Sequence, residues 1–482
     1  MNTQPLWTSN EVASATGGTN TRDWQASGLS INTRTIAPGE LFIALQGPVF
    51  DGHDFVADAL AKGAAGALVH RRPENLDDDA PLSLVDDTLG ALWRLGAAAH
   101  DRSSAKFIAV TGSVGKTGTK EALRSCLGPQ AATFASAKSL NNHWGVPLSL
   151  ARMPRDTVYG VFELGMNHPG EIRELVRLVK PDVAIITTIA AAHLEFFESL
   201  EAIADAKAEI FESLKPDGTA ILNIDNALYD HLVKRAKETG VKTIVSFGRD
   251  AKADSRLIKF SAGEHGSDVT ALIGGQELSY HVGQPGEHWA MNTLAVLTAV
   301  HAAGADVKRA AAALSDLSAL AGRGERHRID GPKGKFLLID DAYNANPASV
   351  RAAISLLAQS APEKGGRRIA VLGDMLELGK TAGKLHSDLV QPLVEAKVDL
   401  VFTCGRHMQS LHKNLPTKMQ AVHAEDSSAV APLVSDAAAK GDVVLVKGSL
   451  GSRMAVVIEA LKALGASRSD SGAGSTGGQD AL

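Results

Sequence analysis

The chain has 482 residues, 44% of them hydrophobic and 21% charged, and a formal net charge of −5. That length exceeds one ordinary core and suggests roughly three domains of about 150 residues each. The slightly acidic balance argues against a nucleic-acid partner, and Cys126 and Cys404, the only cysteines, stand too far apart in sequence for a disulfide framework or a zinc-ligand spacing. No apolar run approaches the ~18 residues of a membrane span, and the opening residues lack the charged and apolar regions of a signal peptide, so no membrane insertion and a reducing cytoplasm are expected.

In chain order, strands over 41–44 and 67–69 and helices over 55–62 and 89–99 predict a small α/β domain, 1–103, with an acidic loop at 74–81. An apolar strand over 107–110 then runs through a glycine turn into a helix. The turn reads Thr111, Gly112, Ser113, Val114, Gly115, Lys116, Thr117. Its glycines let backbone N–H groups face a polyphosphate, Lys116 offers a point charge, Thr117 offers a hydroxyl to Mg²⁺, and the helix start adds its positive end. Val110 stands where the longer form of this motif has a glycine, so the match is to G-x-x-G-K-T. A tight turn with an incidental lysine is the competing reading, and the strand before and helix after weigh against it.

That helix should stop near Leu127, with Gly128 as a left-handed cap and Pro129 as a breaker. Strands over 159–162, 183–187 and 220–222, each followed by a helical pattern, predict a mostly parallel sheet. A short antiparallel piece turning at Gly274-Gly275 and helices over 289–302 and 307–314 complete a central domain, 104–322. A glycine- and arginine-rich joint over 321–328 leads to strands over 336–339, 369–372, 400–403 and 443–446. These predict a doubly wound, Rossmann-like domain, 323–465. The small, polar stretch 466–482 is expected to be a disordered tail.

Several chemistry-bearing side chains fall at strand ends, where open α/β sheets bind ligands. Glu163 follows the strand over 159–162 and suits a Mg²⁺ ligand; a helix-start residue without metal is the alternative. His193 occupies a similar loop, and taken alone a solvated or capping histidine is the better reading. Lys207 lies in a helix with Ser199 as N-cap, four residues after Ile203 and three before Ile210, so it projects from the apolar face. It must snorkel, pair with an anion or lose its charge. His288 and Asn292 share a helical face, where Asn292 could read an adenine edge or act as a cap. Arg323 could reach a phosphate or be a solvated hinge residue. Asp341, Asn344 and Asn346 could address a ribose, phosphate or metal, or form a turn and cap before Pro347. Lys447 and Ser449 could hold a carboxylate or phosphate.

Together these motifs resemble the Mur ligase family over nearly the whole chain. The likeness is carried by Ser30-Ile-Asn-Thr-Arg34 and its continuation, Thr111–Thr117, Leu140-Asn-Asn-His-Trp-Gly-Val-Pro147, Glu163–Glu171, Ala192-His-Leu-Glu195, Asp340-Asp-Ala-Tyr-Asn-Ala-Asn-Pro347, Val371-Leu-Gly-Asp-Met-Leu-Glu-Leu-Gly379 and Val446-Lys-Gly-Ser449. The resemblance implies three domains: an N-terminal one for UDP-substrate, a central ATPase and a C-terminal domain that closes on ATP. It implies that Thr117 and Glu163 bind one Mg²⁺, that His193 and a carbamylated Lys207 position a second, and that Asn292, Arg323 and Asp341 contact ATP. Ser30, Thr33, Arg34, Asn141 and Asn142 would lie on the sugar-nucleotide side. The implied reaction joins D-alanyl-D-alanine to UDP-N-acetylmuramoyl-tripeptide through an acyl phosphate, by a monomer in the cytoplasm, for peptidoglycan synthesis. Ala190-Ala191-Ala192 and Leu450-Gly451 depart from the family pattern without touching a residue given a direct role. A folylpolyglutamate synthetase would share the ATP machinery, and a phosphate-loop switch protein would bind nucleotide without making an amide. The Ser30–Arg34 run opposes the first and Lys207 the second.

Overall fold

The strand Lys106–Thr111 is apolar from Phe107 to Val110 because both faces are covered there, and Phe107, Ile108, Ala109 and Val110 are all buried. In a computed structural model of the chain, residues 4–471 are described apart from 75, 193, 264 and 265. The chain divides into two compact units, the first running up to Thr187 and adding Ala204–Ser255 and Ala295–Ala310, the second holding Thr188–Ile203, Arg256–Leu294 and the chain from Ala311 on.

Within the first unit, Lys106–Thr111 pairs in parallel with Tyr159–Glu163 on one side and Val183–Ile186 on the other. Parallel strands Thr133–Ala135, Thr219–Asn223 and Thr243–Gly248 extend the sheet. The first and last of these escape the sequence reading because their side chains are partly exposed and give no continuous apolar run. The helix Lys116–Leu127 ends where expected, but Gly128 has φ −54°, ψ −41° and is right-handed. The chain keeps turning for another residue, with Gln130 N–H donating to Leu127 O, and Pro129 rather than a left-handed glycine ends the helix.

A second sheet places Gly28–Ser30, Glu40–Ile43, Gly66–Val69 and Leu82–Leu84 in parallel, with Thr19–Asn20 antiparallel at the edge. Its core, which includes Leu29, Leu41, Leu68, Leu92 and Leu95, also takes in Leu148 and Ala151 from the helix Gly145–Arg152. Trp7 Nε1 donates to Ala151 O at 2.8 Å and Arg152 Nε to Leu29 O at 2.7 Å. The first two stretches expected as domains thus share apolar packing, because that helix is buried on both sides.

In the second unit, Ser267–Ile273 pairs antiparallel with Gln276–Val282 across Gly274 and Gly275, both at positive φ. A six-stranded sheet runs in the order Glu325–Gly331, Gly334–Asp341, Val443–Lys447, Arg368–Gly373, Leu400–Cys404, Gln420–Ala424. Only the first pair is antiparallel. Two apolar clusters cover its faces, one containing Ile339, Leu372 and Leu445 and the other Leu338, Val371 and Val444, as a doubly wound sheet requires. The presumed joint is therefore a strand from Glu325 onward. The helix Ala455–Ser471, anchored by buried Val457, Ile458 and Leu461, continues past 466, where composition alone ends the packed chain; 472–482 lie outside the described residues. No helix among the described residues is long and apolar enough to cross a membrane.

Ile108 is fully buried in the middle of the central strand. Ile108→Ala should lower unfolding stability by about 2–5 kcal/mol in urea titrations; a loss below about 1 kcal/mol would remove this strand from the core.

Candidate active site

The glycine turn folds as a phosphate loop needs. Gly112 has φ +147° and Gly115 φ +89°, and a Cβ on Gly112 would lie 1.9 Å from Thr187 Oγ1. Thr187 closes the loop by donating to Val114 O at 2.5 Å and Thr111 O at 3.3 Å. Ser113 and Thr117 are buried, and Lys116 Nζ donates to Gly112 O at 2.7 Å, so its charge lies over the loop. Gly115 gives the helix Lys116–Leu127 no side-chain cap, and no acid stands in its first turn. The helix start is left as an anion site.

Glu163 lies at the end of the adjacent strand, opposite Val110, and is 1% exposed. Asn141 Nδ2 donates to its Oε1 at 2.7 Å, whereas Oε2 is buried with no hydrogen-bond partner among the described residues. A buried carboxylate oxygen in that state is costly unless a cation or donor arrives. Lys207 is 1% exposed, so it does not snorkel. Among the described residues it makes no ion pair, and burial first, then the charge of Lys116, hold its pKa well below the usual lysine range. Ser199 Oγ accepts from Ala202 N at 3.1 Å, as the N-cap reading of that helix expects. His193 lies outside the described residues.

The residues expected on the sugar-nucleotide side fall into two groups. Ser30 is buried and accepts from Asn32 N, Thr33 is half-buried, and Arg34 is exposed. Asn141 holds Glu163, and Asn142 Oδ1 accepts from Gly145 N at 3.0 Å at the start of the helix Gly145–Arg152.

In the second unit, the Asp341 carboxylate pairs with Lys447 Nζ at 2.7 Å, and Lys447 also donates to Asn344 O at 3.0 Å. Asn346 caps the helix Pro347–Gln359 in a reciprocal box with Ser349, which is the capping alternative. Arg323 lies 4.1 Å over the Tyr343 ring, with Gly322 at φ +69° beside it. Asn292 is half-buried and His288 exposed, one turn apart in the helix Glu287–Ala302. Glu325, His327 and Asp340 bring potential ligand atoms within 4.8 Å of one another, but Lys462 Nζ stands 3.9 Å from Asp340 and makes this an ion-pair network.

Sequence reasoning missed three side chains that shape these strand ends. Thr187 closes the loop, Asp374 accepts from His407 N and Met408 N, and Lys120 is completely buried four residues beyond Lys116. For Lys120 the signal was present: it lies three residues before Leu123 and seven before Leu127, on the apolar face of its helix.

A parallel sheet that delivers a glycine loop, an uncapped helix start and a strand-end carboxylate to one edge defines a phosphate-loop nucleotide-binding protein. The sequence patterns described as Mur ligase family, catalytic domain, Mur ligase middle domain, and Mur ligase, glutamate ligase domain match residues 25–99, 110–300 and 322–450. The chain is 34% identical to the UDP-N-acetylmuramoyl-tripeptide--D-alanyl-D-alanine ligase of Rickettsia prowazekii, across 94% of this chain and 99% of that protein. It is similar to the crystal structure of MurF from Acinetobacter baumannii, with a TM-score of 0.82 and 30% identity over 95% and 99% of the two chains. The MurF ligase of Thermotoga maritima in complex with ADP gives 0.75 and 27% over 92% and 98%. The chain belongs to the Mur ligase family, and the α/β fold with mostly parallel sheets is that of these structures.

Gly112→Ala should weaken ADP binding by at least about tenfold in calorimetry while the circular dichroism spectrum stays native, because the new Cβ must displace Thr187. Unchanged affinity would take the loop out of the nucleotide site.

Proposed function

We propose that this protein is the ATP-dependent ligase that joins D-alanyl-D-alanine to UDP-N-acetylmuramoyl-tripeptide in peptidoglycan precursor synthesis. The observation that carries the reading is a likeness to ligases of that name that runs end to end, including the N-terminal segment 25–99. ATP transfers its γ-phosphoryl to the tripeptide carboxylate, giving ADP and an acyl phosphate. The amine of D-alanyl-D-alanine then attacks the acyl carbon, a C–N bond forms, phosphate leaves and the amine releases a proton. We read the chain as a monomer working in the cytoplasm, organised as 1–103, 104–322 and 323–465.

The protein's part is to position and neutralise. In this reading Lys116 and the backbone from Thr111 to Thr117 hold the ATP phosphates, and Asn292, Arg323 and Asp341 are the further residues assigned to ATP. Arg34 forks onto the diphosphate of the UDP substrate, with Ser30 and Thr33 nearby and Asn141 and Asn142 beyond. Thr117 and Glu163 suit Mg²⁺, because a hard cation with oxygen ligands would satisfy the orphaned Glu163 Oε2. When bound, such ions would offset the negative charge gathering on the phosphates.

Lys207 belongs to the same reading. An ammonium about 4 Å from a divalent cation is repelled by roughly 8 kcal/mol at an effective dielectric of ~20. Its buried amine, with a lowered pKa, can instead take up CO₂ and lose a proton, giving a carbamate; that carbamate and His193 would be the residues to hold a second Mg²⁺.

The test of the function is ADP release. It should require both a UDP-linked tripeptide and D-alanyl-D-alanine; turnover indifferent to D-alanyl-D-alanine would favour a different ligase or a nucleotide switch. Lys207→Ala should cost at least about 100-fold in kcat and recover part of it with added formate. Lys207→Arg should be no milder, since a guanidinium stays charged and takes up no CO₂. Near-normal activity in that variant would end the carbamate reading.

A further inference from the structure

Lys120 lies one helical turn beyond Lys116 in the helix that follows the phosphate loop, and its side chain is fully buried. Its ammonium has three donors and three acceptors: Ser136 O at 2.5 Å, Lys138 O at 2.7 Å and Glu121 Oε1 at 2.8 Å. Two of these acceptors are main-chain carbonyls of the segment that leaves the strand Thr133–Ala135. That segment takes an unusual path, with Lys138 at φ +49°, a left-handed conformation that a non-glycine residue adopts only when its surroundings impose it.

What the segment carries is the second half of the observation. Ser136 Oγ accepts from Glu163 N at 3.4 Å, and Ser136 N donates to Val161 O at 3.0 Å. Turn bonds from Leu140 N to Ala137 O and from Asn141 N to Ser139 O lead to Asn141. Asn141 donates to Glu163 Oε1 at 2.7 Å and accepts from Gly165 N at 2.8 Å. The fit there is close, since a Cβ on Gly165 would lie 2.8 Å from Asn141 Cγ. Hydrogen bonds at both ends, joined by the short, turn-bonded backbone of the 136–141 segment, therefore link the buried ammonium to one oxygen of the carboxylate.

We propose that Lys120 is a positioning residue for Glu163: by gripping the Ser136 and Lys138 carbonyls it fixes Asn141, which ties up Oε1 and leaves the buried Oε2 to receive a cation. This rests on the reading of Glu163 as a metal ligand. An apolar side chain could fill the same volume, but it could not satisfy two carbonyls turned into the helix. The phosphate loop and the carboxylate are thereby held by the same helix, so nucleotide and cation sites stay in register.

The experiment uses the full chain with ADP and follows Mn²⁺ binding by the electron paramagnetic resonance of the free ion. Lys120→Met should weaken Mn²⁺ affinity by about 10–100-fold, the range for removing a residue that orients a ligand. Affinity for ADP alone, measured in EDTA, should stay within about threefold, because the phosphate loop is untouched. Amide exchange should quicken at 136–142 and 163–165 and nowhere else in the sheet. Lys120→Gln, which keeps two N–H donors and covers the case that Lys120→Met does not fold, should fall between. Adding Asn141→Ala to either variant should weaken Mn²⁺ binding by less than about twofold more, since both act through one carboxylate. Wild-type Mn²⁺ affinity in a folded Lys120 variant, or full additivity with Asn141→Ala, overturns the proposal. Glu163→Gln separates the two levels: if it also binds Mn²⁺ as wild type does, the metal reading of Glu163 has failed and the Lys120 link falls with it.

Discussion

The register of three parallel strands governs everything at the nucleotide edge. Val110 stands opposite both Glu163 and Ile185, and Thr111 opposite Ile186, so three chains leave the sheet at the same level. One becomes the phosphate loop, one ends in the carboxylate, and the third brings Thr187 to close the loop. A slip of one residue would turn Glu163 to the other face of the sheet and remove it from the edge. The apolar residues that set this register, Ile108, Val161 and Ile185 among them, are fully buried. They decide where the chemistry can be.

The molecule keeps several buried charges, among them Lys120, Glu163, Lys207 and Glu209. Lys120 is satisfied by carbonyls, and Glu209 caps the helix Glu171–Val179 by accepting from Gly170 N at 2.7 Å and Arg173 N at 3.0 Å. Burial raises the pKa of Glu209, and those amides and Arg173 oppose the rise. Glu163 and Lys207 are the members left incomplete, one with an oxygen lacking a partner and the other with no counter-charge among the described residues. Buried groups that structure does not satisfy are the ones to expect ligands to satisfy. The electrostatics therefore separate the charges that the fold itself satisfies from the two that it leaves incomplete.

The second unit applies the same topological rule with a different outcome. Its parallel strands also end in acids, Asp341 and Asp374, but there the acids are met by the chain itself. Asp341 pairs with Lys447, which ends the neighbouring strand, and Asp374 accepts backbone N–H groups at the start of the helix Met408–Asn414. Arg323, half-buried, is laid over the Tyr343 ring beside Gly322.

Composition and periodicity determined the α/β class, the central strands, the phosphate loop and the inward face of Lys207, because each is written in residues close together in the chain. A fully buried strand must be apolar throughout, and a lysine three residues from Ile210 must share its helical face. Tertiary structure alone decided the partly exposed strands at 133–135, 243–248 and 420–424, whose mixed side chains carry no run to read. It also decided that Gly128 is not a left-handed cap, that the 321–328 stretch becomes strand from Glu325, and that the helix Gly145–Arg152 joins two expected domains in one apolar core. Above all it decided which of Asn141's possible partners it takes. The bond to Glu163 spans 22 residues, and no local pattern encodes a contact that exists only when two strands lie in register.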